Sequence, residues 1–149
     1  MDDIDRQLVA ALVDDARTSF AELARQVALS PPSVHERVRR LERDGILRGY
    51  RAEVDAKAIG LGVSALVGVL QREGVESADL ADRLAEVPEV EDCWVVAGEE
   101  SFVVRVRVPD VDALEQTLGV LRRIPGVSRT RTTVVLSTRV EGRRRVPPA

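Results

Sequence analysis

Two helix starts stand close together near the beginning of this chain, and their spacing constrains the fold more than any other feature. Ser19 and Ser30 both fit an N-cap position, and Pro31 would occupy a first helical position, where its missing N–H costs nothing. Glu22 follows Ser19 at the spacing of a capping box, in which the glutamate reaches back to the serine N–H. The connection before Ser30 is short, with Leu29 as its buried residue, and this predicts the tight turn of a helix-turn-helix.

The residues on either side of this turn complete a small helical unit. Apolar residues at helical spacing predict a first helix over Asp3–Asp14, and the helix opened by Ser19 should turn Phe20 inward. Gly45 fits the left-handed position that ends a helix. Residues 46–54 alternate loosely between apolar and polar side chains, which predicts a short hairpin wing. We therefore predict a winged helix-turn-helix domain over residues 1–54. The alternative is a small helical bundle with no role in DNA binding.

The helix that begins after Ser30 combines a narrow apolar stripe with a basic outer face. Val34, Val38 and Leu41 fall on one side at helical spacing. Such a helix is narrow enough to enter the major groove of DNA, where arginine recognises guanine edges and phosphates. Arg37, on the flank, could instead pair within the domain, and any surface helix has a charged face. The predicted DNA-binding residues are Pro32, Ser33, His35, Glu36, Arg37, Arg39 and Arg40.

The local charge of this region differs from that of the whole chain. The formal net charge is −3, yet residues 33–51 hold six arginines against Glu36, Glu42 and Asp44. One cysteine and one histidine exclude an intrachain disulfide, a thiolate metal cluster and a multi-histidine metal site within one chain. The acidic start of the chain is unlike a secretory signal, and no apolar run approaches membrane-spanning length. We therefore expect a cytoplasmic protein with no membrane association, no metal and no cofactor.

The second part of the chain changes to an alternation of strands and helices. Residues 55–62 contain two glycines and are predicted to be a linker. Apolar runs predict strands over 63–70, 90–97, 102–108 and 127–140, with helices over 77–86 and from 111 to about 124. The order β-α-β-β-α-β is that of a ferredoxin-like sandwich, so we predict an α+β protein whose second domain spans residues 63–140. Residues 141–149 are predicted to be a disordered tail.

The predicted strands carry apolar side chains on both faces, for example Leu66 beside Val67 and Val103 beside Val104. A ferredoxin-like sheet uses one face to bind its helices, and no predicted element remains to cover the other. Another subunit is the simplest cover, so we predict an obligate homodimer formed through the sheets. Trp94 could lie at this interface or line an effector cleft.

The order and spacing of several short motifs resemble the Lrp/AsnC family, also called feast/famine regulators. The motifs lie at Asp5, 22–24, 29–30, 37–42, 45–47, 49–50, Val90, Gly98 and 121–127, and the resemblance covers the chain from Asp5 to about Thr138. It implies a sequence-specific DNA-binding transcriptional regulator rather than an enzyme. It also implies that the ferredoxin-like domain, the AsnC-type ligand-binding (RAM) domain, dimerises and assembles dimers into octamers or similar particles. This domain often binds an amino acid between dimers.

In that family, the turn after the second strand of the ligand-binding domain tends to read glycine-aspartate-aromatic-aspartate and helps to form the effector pocket. Here it reads Gly98-Glu99-Glu100-Ser101, so only the glycine matches. By resemblance the last strand supplies the other wall, and the predicted effector-binding residues are Gly98, Glu99, Glu100, Ser101, Thr132, Thr133 and Val135. The altered turn leaves open a pocket for a different amino acid, no working pocket, or an ordinary hairpin turn.

Two other functions are compatible with this architecture. Haem-biosynthetic decarboxylases of the sirohaem type share both domains, but their chemistry requires histidines and arginines around a tetrapyrrole acid. The only histidine of this chain, His35, lies on the predicted DNA helix. No paired carboxylates, nucleophile motif or phosphate loop indicates other catalysis. The third function is that of an assembly protein whose helix-turn-helix no longer binds DNA.

Overall fold

The computed structural model describes residues 1–142 and 146–147. Two compact units divide these residues: Met1–Glu53, which residues 140–142 join, and Val54–Arg139. Most of the tail predicted over 141–149, including its three consecutive arginines, lies outside the described residues. None of the described helices has the length and apolar character needed to cross a membrane.

The N-terminal unit is built from three helices around one small core. They are α1 (Asp3–Asp14), α2 (Phe20–Gln26) and α3 (Pro31–Arg43). All three contribute buried side chains to the core, which contains Leu8, Leu12, Leu23, Ala24, Val34 and Val38. Leu29 in the turn packs against this core, as predicted. The sequence therefore folds here as a helix-turn-helix with α3 as its third helix.

The turn between α2 and α3 requires an unusual backbone conformation. Ala28 has a φ of 53°, in the left-handed region, where an L side chain costs about 1–2 kcal/mol. The N–H of Leu29 donates to the carbonyl of Ala24 at 3.0 Å and closes the end of α2. Gly45, with a φ of 68°, plays the same role after α3, where the sequence predicts a left-handed glycine. These two turns set the direction of the chain immediately before and after α3.

Two expectations for α2 are wrong in detail. The Ser19 hydroxyl does accept from the Glu22 N–H at 3.2 Å, but the Glu22 carboxylate contacts Arg25 and Gln26 instead of reaching back. Nearby guanidinium and amide donors on the same helical face are the better partners for that carboxylate. Phe20, expected to face inward, is largely exposed and lies against another ring.

The predicted hairpin wing is also wrong. The described residues 46–54 contain no strand: two residues of bend are followed by a segment without regular secondary structure. A hairpin needs a second strand to pair its backbone hydrogen bonds, and none of residues 46–54 is paired as a strand. The segment is linked to α3 by a side chain, since the Tyr50 hydroxyl donates to Glu42 at 2.9 Å. The helix-turn-helix thus lacks a β-wing in this structure.

The C-terminal unit has the predicted ferredoxin-like architecture. Its strands are β1 (Val63–Gln71), β2 (Val90–Val95), β3 (Phe102–Val108) and β4 (Val127–Val135), and its helices are α4 (Ser77–Ala85) and α5 (Val111–Arg123). The strands form one antiparallel sheet in the order β2-β3-β1-β4. β4 is shorter than predicted, because Val135 already pairs with Ser64 and only Val63 of β1 lies beyond that pair.

The two faces of this sheet differ sharply in burial. The side chains that pack beneath α4 and α5 alternate along each strand and include Ala65, Val67, Val69, Phe102, Val104 and Val106. On the other face, which we call the open face, Leu66 and Trp94 are exposed, and Val103 lies beside Trp94 in the register. Both described helices of the C-terminal unit pack on the core face, so neither of them covers the open face, as the sequence predicts.

Candidate nucleic-acid interface and effector turn

The start of α3 is fixed by local serine chemistry. The Ser30 hydroxyl accepts from the Ser33 N–H at 3.3 Å, and the two hydroxyl oxygens are 2.8 Å apart. Val34, Val38 and Leu41 are then buried against the other helices. This packing leaves the opposite face of α3 in solvent, and its exposed residues are Pro32, Ser33, Glu36, Arg39 and Arg43.

Two arginines on this outer face remain available to an external anion. The Arg39 guanidinium has no partner among the described residues, and Arg43 makes only a weak contact with Glu36, at 3.4 Å. Arg43 is absent from the predicted DNA-binding set. Its position one helical turn after Arg39 is the signal that identifies it, because residues four apart share a helix face.

Two other predicted members of the set are held by α1. The Arg37 Nη1 donates to Asp2 Oδ2 at 2.7 Å and to Asp5 Oδ1 at 2.8 Å. The Arg40 Nη2 donates to both oxygens of Asp5, at 3.0 and 2.8 Å. The backbone N–H of Asp2 also donates to the Asp5 carboxylate, and the backbone N–H of Asp5 donates to the Asp2 carboxylate, which forms the capping box of α1. The structure therefore separates Arg37 and Arg40 from the outward-facing Arg39.

The electrostatics of this cluster favour its charged form. Burial raises the pKa of the Asp5 carboxyl, but the hydrogen bonds from Arg37 and the Asp2 N–H, with the Arg40 charge, outweigh burial and leave that pKa lowered. The Asp5 N–H and then Arg37 lower the pKa of Asp2. Hydrogen bonds to Asp2 and Asp5 raise the pKa of Arg37 in turn. Asp2, Asp5 and Arg37 are therefore charged at neutral pH.

The other flank of α3 is supported by aromatic side chains. The His35 ring meets the Phe20 ring edge-on, with centroids 5.0 Å apart and an interplanar angle of 83°. Burial and the hydrogen bond to Glu42 raise the pKa of Tyr50 to about 12, so its hydroxyl stays protonated and donates. His35, a predicted DNA-binding residue, thus also contacts α2.

The turn that joins β2 to β3 is an ion-paired structure on the sheet. Arg131 of β4 donates to Glu100 at 2.9 Å and to Glu99 at 2.7 Å, and Glu99 is the main reason that the pKa of Arg131 is raised. The Ser101 N–H donates to the Val69 carbonyl at 2.9 Å, and the Ser101 hydroxyl accepts from Gln71. The turn is therefore tied to both β1 and β4.

Gly68 of β1 makes room for this arrangement. A Cβ atom at Gly68 would lie 2.6 Å from Glu100 Cγ, so only glycine permits the glutamate side chain to lie over the strand. Gly68 pairs with Arg131 in the sheet register, which brings the guanidinium to the same place. Sequence reasoning did not include Gly68 or Arg131, because only the strand register brings them to the turn.

The predicted effector-binding residues of β4 do not share one face. Thr133 pairs with Leu66, and Val135 with Ser64, so both belong to the open face together with Arg131. Thr132 pairs with Val67, whose side chain is in the core, and so belongs to the helix-covered face. The turn Gly98–Ser101 adjoins the open face through Glu100. Nowhere in the described residues do three or more histidine, cysteine or acidic side chains cluster as metal ligands would.

Comparison with known proteins matches both units. Residues 1–42 match the AsnC-type helix-turn-helix domain, and residues 64–145 match the Lrp/AsnC ligand binding domain. The HTH-type transcriptional regulator LrpA of Mycobacterium tuberculosis is 42% identical over 147 residues, 99% of this chain and 97% of the relative.

Solved structures agree with this match. The feast or famine regulatory protein of M. tuberculosis complexed with L-methionine has a TM-score of 0.93 at 42% identity, covering 98% of this chain and 99% of that chain. Escherichia coli AsnC has a TM-score of 0.90 at 30% identity, covering 99% of both chains. Fold and comparisons together define a helix-turn-helix transcriptional regulator with a separate ligand-binding domain. Within that class, the chain belongs to the Lrp/AsnC family, and the decarboxylase alternative is not favoured.

Proposed function

We propose that α3 reads operator DNA through its outer face. The observation that carries this proposal is the pair Arg39 and Arg43, two exposed guanidiniums on one helical face with at most a weak internal contact. Guanidinium groups bind phosphate and the guanine edge with bidentate geometry. The Ser33 hydroxyl at the helix start, Glu36 and His35 are the further candidates for base and phosphate contacts, and Pro32 offers an apolar surface to a thymine methyl. Because its partner is genomic DNA, we expect the protein to act in the cytoplasm.

The open face of the sheet supports assembly of the regulator as a homodimer. Leu66 and Trp94 are exposed and form an apolar strip with the half-buried Val103. Arg105 flanks this strip, with its Cζ 5.7 Å from the centroid of the Trp94 ring. An isologous interface would cover the strip on both subunits at once. A two-fold dimer of helix-turn-helix units addresses half-sites roughly 34–36 Å apart, so the operator should be an imperfect palindrome.

The experiment that tests DNA reading is binding-site selection from random duplexes, followed by titration of the selected duplex at several salt concentrations. Arg39→Ala should lower operator affinity and reduce the salt slope by about 0.9, the value for one lost phosphate contact. Lys57→Ala removes the same charge outside the N-terminal unit and should leave both unchanged. A wild-type protein that dimerises but selects no sequence would instead be an assembly protein.

For the ligand-binding domain, we propose a zwitterionic amino acid as the effector, bound between dimers at the turn. An α-ammonium group needs an anionic acceptor, which Glu99 and Glu100 provide, and an α-carboxylate needs donors, which the backbone near Gly98 and Arg131 provide. The relative solved with L-methionine supports this ligand class. Glu99 and Glu100 differ from the family's usual turn, so the side chain of the preferred amino acid can differ from that bound by other family members.

Calorimetric titration with a panel of L-amino acids tests this site. At least one amino acid should bind wild-type protein, and Glu99→Gln should weaken it, because the ammonium loses a charged partner. A D-amino acid and the matching amino alcohol, which lacks the carboxylate, serve as controls and should not bind. Absence of binding across the panel would identify the turn as a structural hairpin.

A further inference from the structure

One buried carboxylate lies beneath the basic helix. The Asp5 side chain is 2% exposed, yet it accepts hydrogen bonds from two different guanidiniums of α3 at 2.8–3.0 Å. Charged side chains are rarely buried to this degree without a partner of opposite sign. Asp5 therefore has a specific role toward Arg37 and Arg40.

The two guanidiniums are held in different ways. Arg37 uses one nitrogen, Nη1, to contact both Asp2 and Asp5, and its side chain is only 25% exposed. Arg40 contacts Asp5 through Nη2 alone, and its side chain is 46% exposed. Each arginine keeps two nitrogens outside these contacts, but Arg40 is the more exposed and has one partner, so its donors can reach an outside ligand. Arg37 is less exposed and bridges two residues at the start of α1, so it joins α1 to α3.

We infer that Asp5 is a positioning residue for DNA readout, because it holds Arg40 in one orientation for contact with the operator. The same carboxylate keeps Arg37 in an internal contact between α1 and α3. This inference rests on the proposed function of α3. A free arginine loses rotamer freedom when it binds, and an arginine already oriented by a buried carboxylate has lost that freedom during folding. The same carboxylate places a negative charge under the basic face, which weakens indiscriminate attraction to phosphate.

The inference predicts opposite effects on two kinds of DNA. Removing the Asp5 charge leaves Arg40 disordered, so affinity for the operator should fall. Affinity for unrelated duplex depends on net charge, so it should stay constant or rise. A defect in folding would instead lower both affinities together.

The experiment compares the duplex selected by the wild-type protein with a shuffled duplex of the same composition. For Asp5→Asn, the ratio of the two affinities should fall at least tenfold, while shuffled-duplex affinity is unchanged or higher. Asp3→Asn is the matched control, because Asp3 is exposed on the same helical turn, 4.0 Å from Arg6, and carries the same charge. It should preserve the ratio. An unchanged ratio in folded Asp5→Asn would overturn the inference while leaving DNA binding intact.

If Asp5→Asn fails to fold, two arginine variants decide the question. Arg40→Ala should lower operator affinity and the ratio of operator to shuffled-duplex affinity, whereas Arg37→Ala should leave that ratio unchanged, because its guanidinium is not offered to DNA. The reverse pattern would overturn the inference. If the wild-type protein selects no duplex at all, the proposed function itself is wrong. That outcome is distinct from the results expected of the Asp5 and arginine variants.

Discussion

Asp5 links the stability of the N-terminal unit to the surface that we propose contacts DNA. Asp5→Ala should lower the free energy of unfolding at pH 7 by about 2 kcal/mol, because it removes the charge-assisted hydrogen bonds of two partly exposed guanidiniums. Urea denaturation followed by circular dichroism measures this change. Asp3→Ala, at an exposed position of the same helix, should cost less than about 0.5 kcal/mol.

The same cluster should give the stability a pH dependence of known sign. The pKa of Asp2 and the pKa of Asp5 are lowered in the folded state, so their contribution is complete above the unfolded value of 3.8. It is lost as the pH falls through the lower folded values. The difference in unfolding free energy between wild type and Asp5→Ala should therefore be constant from pH 7 to about pH 5 and shrink toward pH 3. A difference that does not change over this range would contradict the assignment.

Ala28 is strained in the helix-turn-helix turn. Because its φ of 53° suits glycine better than alanine, Ala28→Gly should raise the free energy of unfolding by about 0.5–1 kcal/mol. Ala16→Gly lies in the loop before α2, where no positive φ is found, and should not stabilise the protein. Thermal denaturation of the two variants checks the prediction, and equal shifts would show that the turn is not strained.

At the scale of the elements, sequence predicts most where the signals are local. The bounds of α1 and α3 follow from apolar spacing, from Ser30 and from Gly45, because caps and helical periods act over a few residues. The contact between Asp5 and α3 could not be predicted in this way, because it joins residues far apart in the chain. The prediction of a hairpin wing was wrong for a related reason, since an alternation of apolar and polar residues does not supply a second strand to pair with.

The β2–β3 turn shows the same limit in the sheet. Its residues were predicted, but its link to Arg131 and to Gly68 depends on register, which the sequence does not specify uniquely. Adjacent residues of a strand face opposite sides, so the predicted pair Thr132 and Thr133 cannot line one pocket wall within a single subunit.

The close contact between Gly68 and Glu100 can be tested by a double-mutant cycle. Gly68→Ala should displace the Glu100 side chain and cost about 1 kcal/mol, the value of a good partly exposed ion pair. In a Glu100→Ala background, the same change should be almost neutral, because nothing remains to displace. Fluorescence of Trp94, the only tryptophan, reports unfolding of this unit. Additive effects would contradict a direct contact.

At the scale of the whole molecule, the open face leaves apolar side chains of a single chain in solvent, and a second subunit would bury them. Leu66→Glu should raise the dimer dissociation constant about 100-fold, because an unpaired buried charge costs about 3 kcal/mol. Val111→Glu places the same charge on an exposed apolar residue of α5, which packs on the opposite side of the sheet, and should leave the dimer intact. Analytical ultracentrifugation distinguishes these outcomes. A monomeric wild-type protein would contradict the proposed assembly.

The capping box of α1 determines where a purification tag can be fused without disturbing the N-terminal unit. Asp2 both caps α1 and accepts from Arg37, so residues next to Met1 help to hold α3. A purification tag fused directly to Met1 would add its bulk and charge beside that support. Fusions at this end should therefore distort measured affinities for DNA, and a removable or distant tag is the better choice.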